Sequence, residues 1–298
     1  MAPSGSSAKK RPPPGSSASG RQPAGSQSAG RPSAGRQSAG ATPAIRGEAL
    51  VRRHPVLEAL RARRRTIHRL YVERERGAAE RDLQPILAAA RDAGVAITPI
   101  DRHTLDQLAQ RHAADGKHQG VLLEVGPYPY AEVDEMLGLA ERRGERPLLL
   151  LLDLLHGPQN IGALLRTAEA CGVHGIILQD RRAPEITPSV VQFAAGATEH
   201  LLIAKVTNLA QTMRELKAAG VWLAGMDLDE TAEAVGQVDL DRPLGIVVGH
   251  EGEGLRRLVR ERCDFLIRLP MRGQVESLNA AVAGSILLYI AWQARGFQ

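Results

Sequence analysis

Six short segments in the second half of this 298-residue chain are apolar almost throughout: LLLLL at 148–152, GIIL at 175–178, LLIAKV at 201–206, VWLAGMD at 221–227, LGIVV at 244–248 and FLIRL at 265–269. A strand with one face in water alternates apolar and polar residues, whereas an unbroken apolar run is buried on both faces, the habit of parallel sheets covered by helices. Helical patterns separate the runs, so residues 147–298 are expected to form an α/β domain around a parallel sheet. Ligands of such sheets bind in the loops beyond the carboxyl ends of the strands. Chemistry is therefore sought in those loops.

The residues before this region divide by composition. Residues 1–45 are Gly, Ser, Ala, Pro, Arg and Gln in near-repeats such as AGRPSAGRQSAG, with almost no large apolar side chain to offset the entropy of ordering, and disorder is expected. The first carboxylate is Glu48. The seven Lys and Arg before it, set against a whole-chain net charge of +5, leave the remainder at about −2. Contact with a polyanion by the folded body must then use local patches. An acid-free, Arg-bearing tail fits a flexible basic arm or an organellar transit peptide, and its dense Gly and Pro oppose the amphipathic helix of the latter.

From 46 to 126, helical stretches (HPVLEALRARR, DLQPILAAARDAG, TLDQLAQ) alternate with strands (IHRLYVE, VAITPI, GVLLEV), which predicts a smaller α/β domain. Residues 127–146, with Pro127, Pro129 and the charged ERRGERP, read as a linker. Cys171 and Cys263 lack metal-ligand or disulfide-framework spacing. The apolar run from Ala280 to Trp292 is too short to span a bilayer and reads as a buried helix. A cytoplasmic protein without a membrane anchor is expected.

Three stretches after the apolar runs contain polar residues suited to chemistry. In LLLLLDLLHGPQNIGALLRTAEA, Asn160 opens a helix that carries Arg166 within two turns; these are either a cap and a solvated Arg or an active-site pair. Gly162, Ala163 and Ala168 would allow close helix packing, as at a subunit interface. In LGIVVGHEGEGL, a buried strand empties into a loop with Gly249, Gly252 and Gly254 around Glu251. That loop is neither GxGxxG nor a P-loop, and it reads as a turn or as a backbone cradle for a ligand. In LIRLPMRGQVESLNAAVAG, Ser277 and Asn279 stand at the start of the last helix, as caps or as ligand contacts.

In this order and at these positions the three stretches resemble the motifs of the SpoU/TrmH family of RNA 2'-O-ribose methyltransferases: Asn160 with Arg166, Gly249 to Gly254 with Glu251, and Pro270 to Ser277-Leu278-Asn279. The opening HPVLEAL and the segment His118 to Gly120 are similar to the L30e-like domain of the subgroup that acts on large-subunit ribosomal RNA. His250 departs from the family, as does AAVAG after Asn279. The resemblance implies a SPOUT α/β trefoil knot at residues 147–298, an L30e-like RNA-binding domain at 46–126, and a homodimer. It implies S-adenosylmethionine held around Gly249, Leu269, Met271 and Leu278, with no metal required, and Asn160, Arg166, Glu251, Ser277 and Asn279 as catalytic residues. Arg166 is expected to stabilise charge or position a phosphate rather than act as a base, because a guanidinium stays protonated.

The implied substrate is a guanosine of 23S-type ribosomal RNA. Transfer RNA, an adenosine, or a non-catalytic role in ribosome assembly remain open alternatives. The cluster RARRR, Arg61 to Arg65, reads either as a phosphate contact or as a solvated helix end.

Overall fold

The computed structural model describes residues 43–74, 81–112, 115–180, 185–229 and 231–297. The disorder expected of the tail lies outside the described residues for all but positions 43–45. Two sheets follow. The smaller takes β1 (Glu48–Val51), β2 (Ile67–Glu73), β3 (Ile97–Ile100) and β4 (Val121–Val125) in the order β1-β4-β2-β3, with β2 and β3 parallel and the other pairs antiparallel. Helices α1 (Arg53–Ala62), α2 (Gln84–Asp92) and α3 (Arg102–His112) connect them. β1 was not visible as a strand in the sequence. Its four residues are too few for a pattern, and it is made by pairing with β4, Leu50 opposite Leu123.

The segment His118 to Gly120 shapes this half of the molecule. His118 is buried; its Nδ1 accepts from Gly120 N at 2.8 Å and its Nε2 faces Asp106 at 2.9 Å. Gln119, held at φ 50°, accepts from Arg53 N at 3.1 Å and so serves the first turn of α1 from far along the chain.

The larger sheet contains every apolar run singled out above: β5 (Leu148–Leu152), β6 (Gly175–Gln179), β7 (Ile203–Val206), β8 (Trp222–Met226), β10 (Leu244–Val248) and β11 (Phe265–Arg268), with the two-residue β9 (Glu233–Ala234) at one edge. The order is β7-β6-β5-β10-β8-β11-β9, and all pairs are parallel. β5 and β10 are buried at every position, as sheet-centre strands must be. α5 (Pro158–Ala170), α6 (Pro188–Phe193), α7 (Leu209–Ala218), α8 (Arg257–Arg260) and α9 (Ala280–Ala294) complete it. After β11 the chain returns to α9, which packs against α5 and β10. Among the described residues no helix is long and apolar enough to cross a membrane.

Residues 127–146 are not a passive tether. They carry α4 (Val133–Arg143), in which Met136 and Ala140, one turn apart, are fully buried while the charged positions face out. A Cβ at Gly175 would lie 2.1 Å from the Met136 sulfur, so glycine is what lets the helix seat on β6. Ala131 N also donates to Ile203 O at 2.8 Å. The charged amphipathic stretch that reads as a linker in the sequence thus contains a helix with two positions buried against the larger sheet.

Part of the RARRR cluster turns inward as well, while Arg61 and Arg63 stay exposed. Arg65 is buried, with Nη1 2.6 Å from Glu48 and Nε 3.1 Å from the equally buried Glu199, and its guanidinium lies over the Tyr128 ring. Arg64 donates to the carbonyls of Leu201 and Pro129, and Arg61 pairs with Glu58 at 2.8 Å. Glu58 is also 2.8 Å from His200. These residues seam the α1 side of the small sheet to the short helical turn at Ala197–His200. The described residues from 43 onward form one compact unit.

Candidate active site

The carboxyl ends of β8, β10 and β11 open into a cavity of about 660 Å³, within the range of roughly 300–1,000 Å³ usual for small-molecule pockets. Its walls include Gly249, Glu251, Leu269, Met271, Ser277, Leu278 and Asn279, all singled out from the sequence. The loop after β10 closes on itself: His250 and Gly254 exchange two backbone hydrogen bonds of 3.0 Å, with Gly252 at φ 100° and Gly254 at φ 69°. A Cβ on Gly249 would stand 2.4 Å from the Gly254 carbonyl carbon and oxygen, so this close approach of backbone to backbone needs glycine.

Three polar side chains from three separate stretches meet at the rim. Asn160 Nδ2 donates to Glu251 Oε2 at 3.0 Å, Asn279 Nδ2 donates to Glu251 Oε1 at 2.8 Å, and Asn279 Nδ2 also donates to Asn160 Oδ1 at 3.1 Å. Asn279 uses its other end to cap α9, its Oδ1 accepting from Ala281 N at 3.0 Å and Val282 N at 3.2 Å. Asn160 does not cap its helix. α5 begins at Pro158 after Gly157 at φ 84°, and the proline needs no partner for a missing N–H, so the Asn160 amide is free to reach Glu251.

Arg166 does not join them. It is exposed on α5 and has no hydrogen bond or ion pair among the described residues. Six residues along a helix turn it about 120° away from Asn160. Ser277 lines the cavity and, among the described residues, has no hydrogen bond to the three-residue cluster. Gly162 faces inward, where a Cβ would meet Phe193 at 2.4 Å, so its smallness serves α6 rather than a subunit contact. Ala163 is exposed, beside Gln159, Thr167, Val282, Ile286 and Tyr289 in a groove between α5 and α9 that Asn160 and Asn279 also line.

Asp153 was not legible in the sequence as a site residue. It follows β5, is fully buried, and accepts from Arg256 N at 2.9 Å and Arg256 Nε at 2.6 Å, anchoring the far end of the glycine loop to the sheet. Its only signal was a lone carboxylate after five leucines. His250 also borders the cavity. Its Nδ1 is sealed from solvent without a partner, and its ring meets His156 edge-on at 5.5 Å.

Two family models match the chain, the SpoU rRNA methylase family over residues 147–289 and the RNA 2'-O ribose methyltransferase substrate-binding family over 53–131. YacO of Bacillus subtilis, named for the TrmH family of tRNA/rRNA methyltransferases, is 39% identical over 246 residues, covering 83% of this chain and 95% of YacO. The chain belongs to the SpoU/TrmH family. A second SpoU/TrmH relative, from Staphylococcus aureus (strain MSSA476), is 37% identical over 83% of this chain and 96% of its own length. The SpoU methyltransferase AviRb of Streptomyces viridochromogenes, solved with AdoMet, is 24% identical with a TM-score of 0.67 over 84% of this chain and 91% of AviRb. An AdoMet-bound rRNA methyltransferase of Sinorhizobium meliloti gives a TM-score of 0.65 at 22% identity, over 83% of this chain and 87% of that one. These likenesses show that the SpoU/TrmH chain has the α/β fold of the SpoU methyltransferases.

Proposed function

We propose that this protein methylates a ribose 2'-hydroxyl of RNA with S-adenosylmethionine, and that a guanosine of large-subunit ribosomal RNA is the substrate. The closed Asn160–Glu251–Asn279 arrangement at the rim of the cavity carries the reading. It joins polar residues from three stretches of chain where a parallel sheet presents its ligand site.

The cavity suits the cofactor chemically. Leu269, Met271 and Leu278 offer apolar surface, Gly249 lets backbone come close, and carboxylates oppose a cationic sulfonium. When bound, S-adenosylmethionine supplies the methyl group for an in-line displacement. The protein's task is then chiefly positioning. Glu251 fixes the two asparagine amides, which orient the ribose and the wall behind it. Ser277, also in the wall, offers a hydroxyl to the same ligands.

Arg166 fits this scheme across a homodimer. The groove between α5 and α9 is edged by exposed Val282, Ile286 and Tyr289 and runs up to Asn160 and Asn279, so a second copy seated there lies next to the cluster. We take the partner subunit's Arg166 to stabilise negative charge developing on the 2'-oxygen. Residues 46–126 would present RNA to the catalytic half at 147–298, in the cytoplasm.

The test is transfer of labelled methyl to unmodified ribosomal and transfer RNA by wild type and Asn160→Ala, with products mapped by resistance to alkaline cleavage. Labelling of large-subunit RNA that the variant loses is expected. Labelling of transfer RNA alone would replace the substrate. No labelling by a folded, cofactor-binding protein would favour a role in ribosome assembly.

A further inference from the structure

The same cavity has an unbalanced charge. Asp227, Glu251, Glu253 and Glu276 line it, and among the described residues no lysine or arginine does. Asp227 is neutralised by Arg260, with Nε and Oδ2 2.7 Å apart. Glu251 is held by the uncharged amides of Asn160 and Asn279. Glu253 and Glu276 have neither a hydrogen bond nor an ion pair among the described residues. Arg256, beside the glycine loop, is taken up by Asp153 and Gln179, and Arg272 is not among the lining residues. Glu253 comes from the loop after β10 and Glu276 from the loop before α9, so two separate segments each add a free carboxylate to a wall that is otherwise partly apolar.

The consequence follows from the reaction proposed above, on which this inference rests. The methyl carbon leaves sulfur for the ribose 2'-oxygen, the hydroxyl proton passes to solvent, and the sulfonium becomes a neutral thioether. The spent cofactor carries one positive charge less than the donor and otherwise keeps nearly the same shape. Apolar packing separates the two poorly. A negative wall separates them directly, because Coulomb attraction acts on the charge that transfer removes. We propose that Glu253 and Glu276 are specificity-determining residues that make the cavity prefer the charged methyl donor to its neutral product, so that transfer itself weakens the hold on the cofactor and promotes release.

Both carboxylates are exposed, which limits their effect to about three- to tenfold together at low salt. The experiment is calorimetric titration of the full chain with S-adenosylmethionine, with S-adenosylhomocysteine and with sinefungin, whose amine places a positive charge where the sulfonium stands. The double variant Glu253→Gln/Glu276→Gln is expected to weaken the two charged ligands about three- to tenfold while the neutral one changes less than about twofold. The aspartate pair Glu253→Asp/Glu276→Asp should keep most of the preference, and added salt should erode it in wild type. Equal weakening of all three ligands, or an unchanged preference, overturns the proposal. A wild-type protein that binds none of the three would overturn the proposed reaction, and this inference with it.

Discussion

At the scale of single residues, the candidate site depends on contacts too close for substitution. Gly249→Ala would drive a methyl group against the Gly254 carbonyl at 2.4 Å, where backbone on both sides leaves no flexible atom to yield. A destabilisation of about 1–3 kcal/mol is expected, read from urea unfolding, together with loss of cofactor binding. Glu251→Gln keeps the shape but replaces one accepting oxygen with a donor that faces the amide of Asn160 or Asn279. Methyl transfer should fall on the order of a hundredfold in kcat while the unfolding midpoint barely moves, because the site is exposed. A large loss of stability with kcat retained would make Glu251 a structural residue. The motif residues of this cluster were legible because their types and spacing matched known motifs. Asp153 was not, since nothing in a leucine run announces that the next carboxylate will meet a backbone N–H and an arginine a hundred residues on.

At the scale of elements, α5 and α9 do two jobs. Their inner faces build the core through Leu164, Leu165, Leu287 and Leu288, and their outer faces leave Ala163, Val282, Ile286 and Tyr289 to solvent. If the proposed homodimer forms on these outer faces, Ile286→Glu/Tyr289→Glu should convert it to a monomer in sedimentation without changing helix content, and activity should fall with it. If the partner subunit's Arg166 completes the site, mixing Arg166→Ala and Asn160→Ala protomers should restore part of the activity that each lacks alone; no recovery in verified heterodimers would place Arg166 outside the chemistry. α4 shows the limit of pattern reading at this scale. Its two buried positions, Met136 and Ala140, are too few to stand out from a run of charges, and only Gly175 opposite them shows why the helix docks.

For the whole molecule, the seam between the two sheets and the buried histidine at the foot of β6 govern stability. Arg65→Met would leave Glu199 buried without its cation and should cost about 3–5 kcal/mol, whereas pairing it with Glu199→Leu should recover much of that. Chemical unfolding of the single and double variants measures the difference. His174 accepts from Leu148 N at 3.1 Å through Nδ1 and faces Glu145 at 3.0 Å through Nε2. Burial holds its pKa below the ordinary histidine value, with Glu145 opposing, and a second proton on Nδ1 would also break the bond from Leu148. Below pH 6.5 the unfolded chain therefore binds a proton that the folded chain refuses. Stability should drop as pH falls from 6.5 to the depressed folded value, by at most about 1.4 kcal/mol per pH unit. His174→Asn should remove that slope; an unchanged slope would assign it to other groups.

The parallel sheet was legible before folding, because runs apolar on both faces need burial on both sides, and so was the set of polar residues that follows those strands. How those residues are used depends on contacts that exist only in the folded chain. Asn160, Glu251 and Asn279 are brought into contact across 119 residues, while Arg166, on the same helix as Asn160, is turned outward. Arg64 and Arg65 of RARRR close a seam, because a buried carboxylate such as Glu199 can recruit a cation from 134 residues away, and no local pattern records that partner.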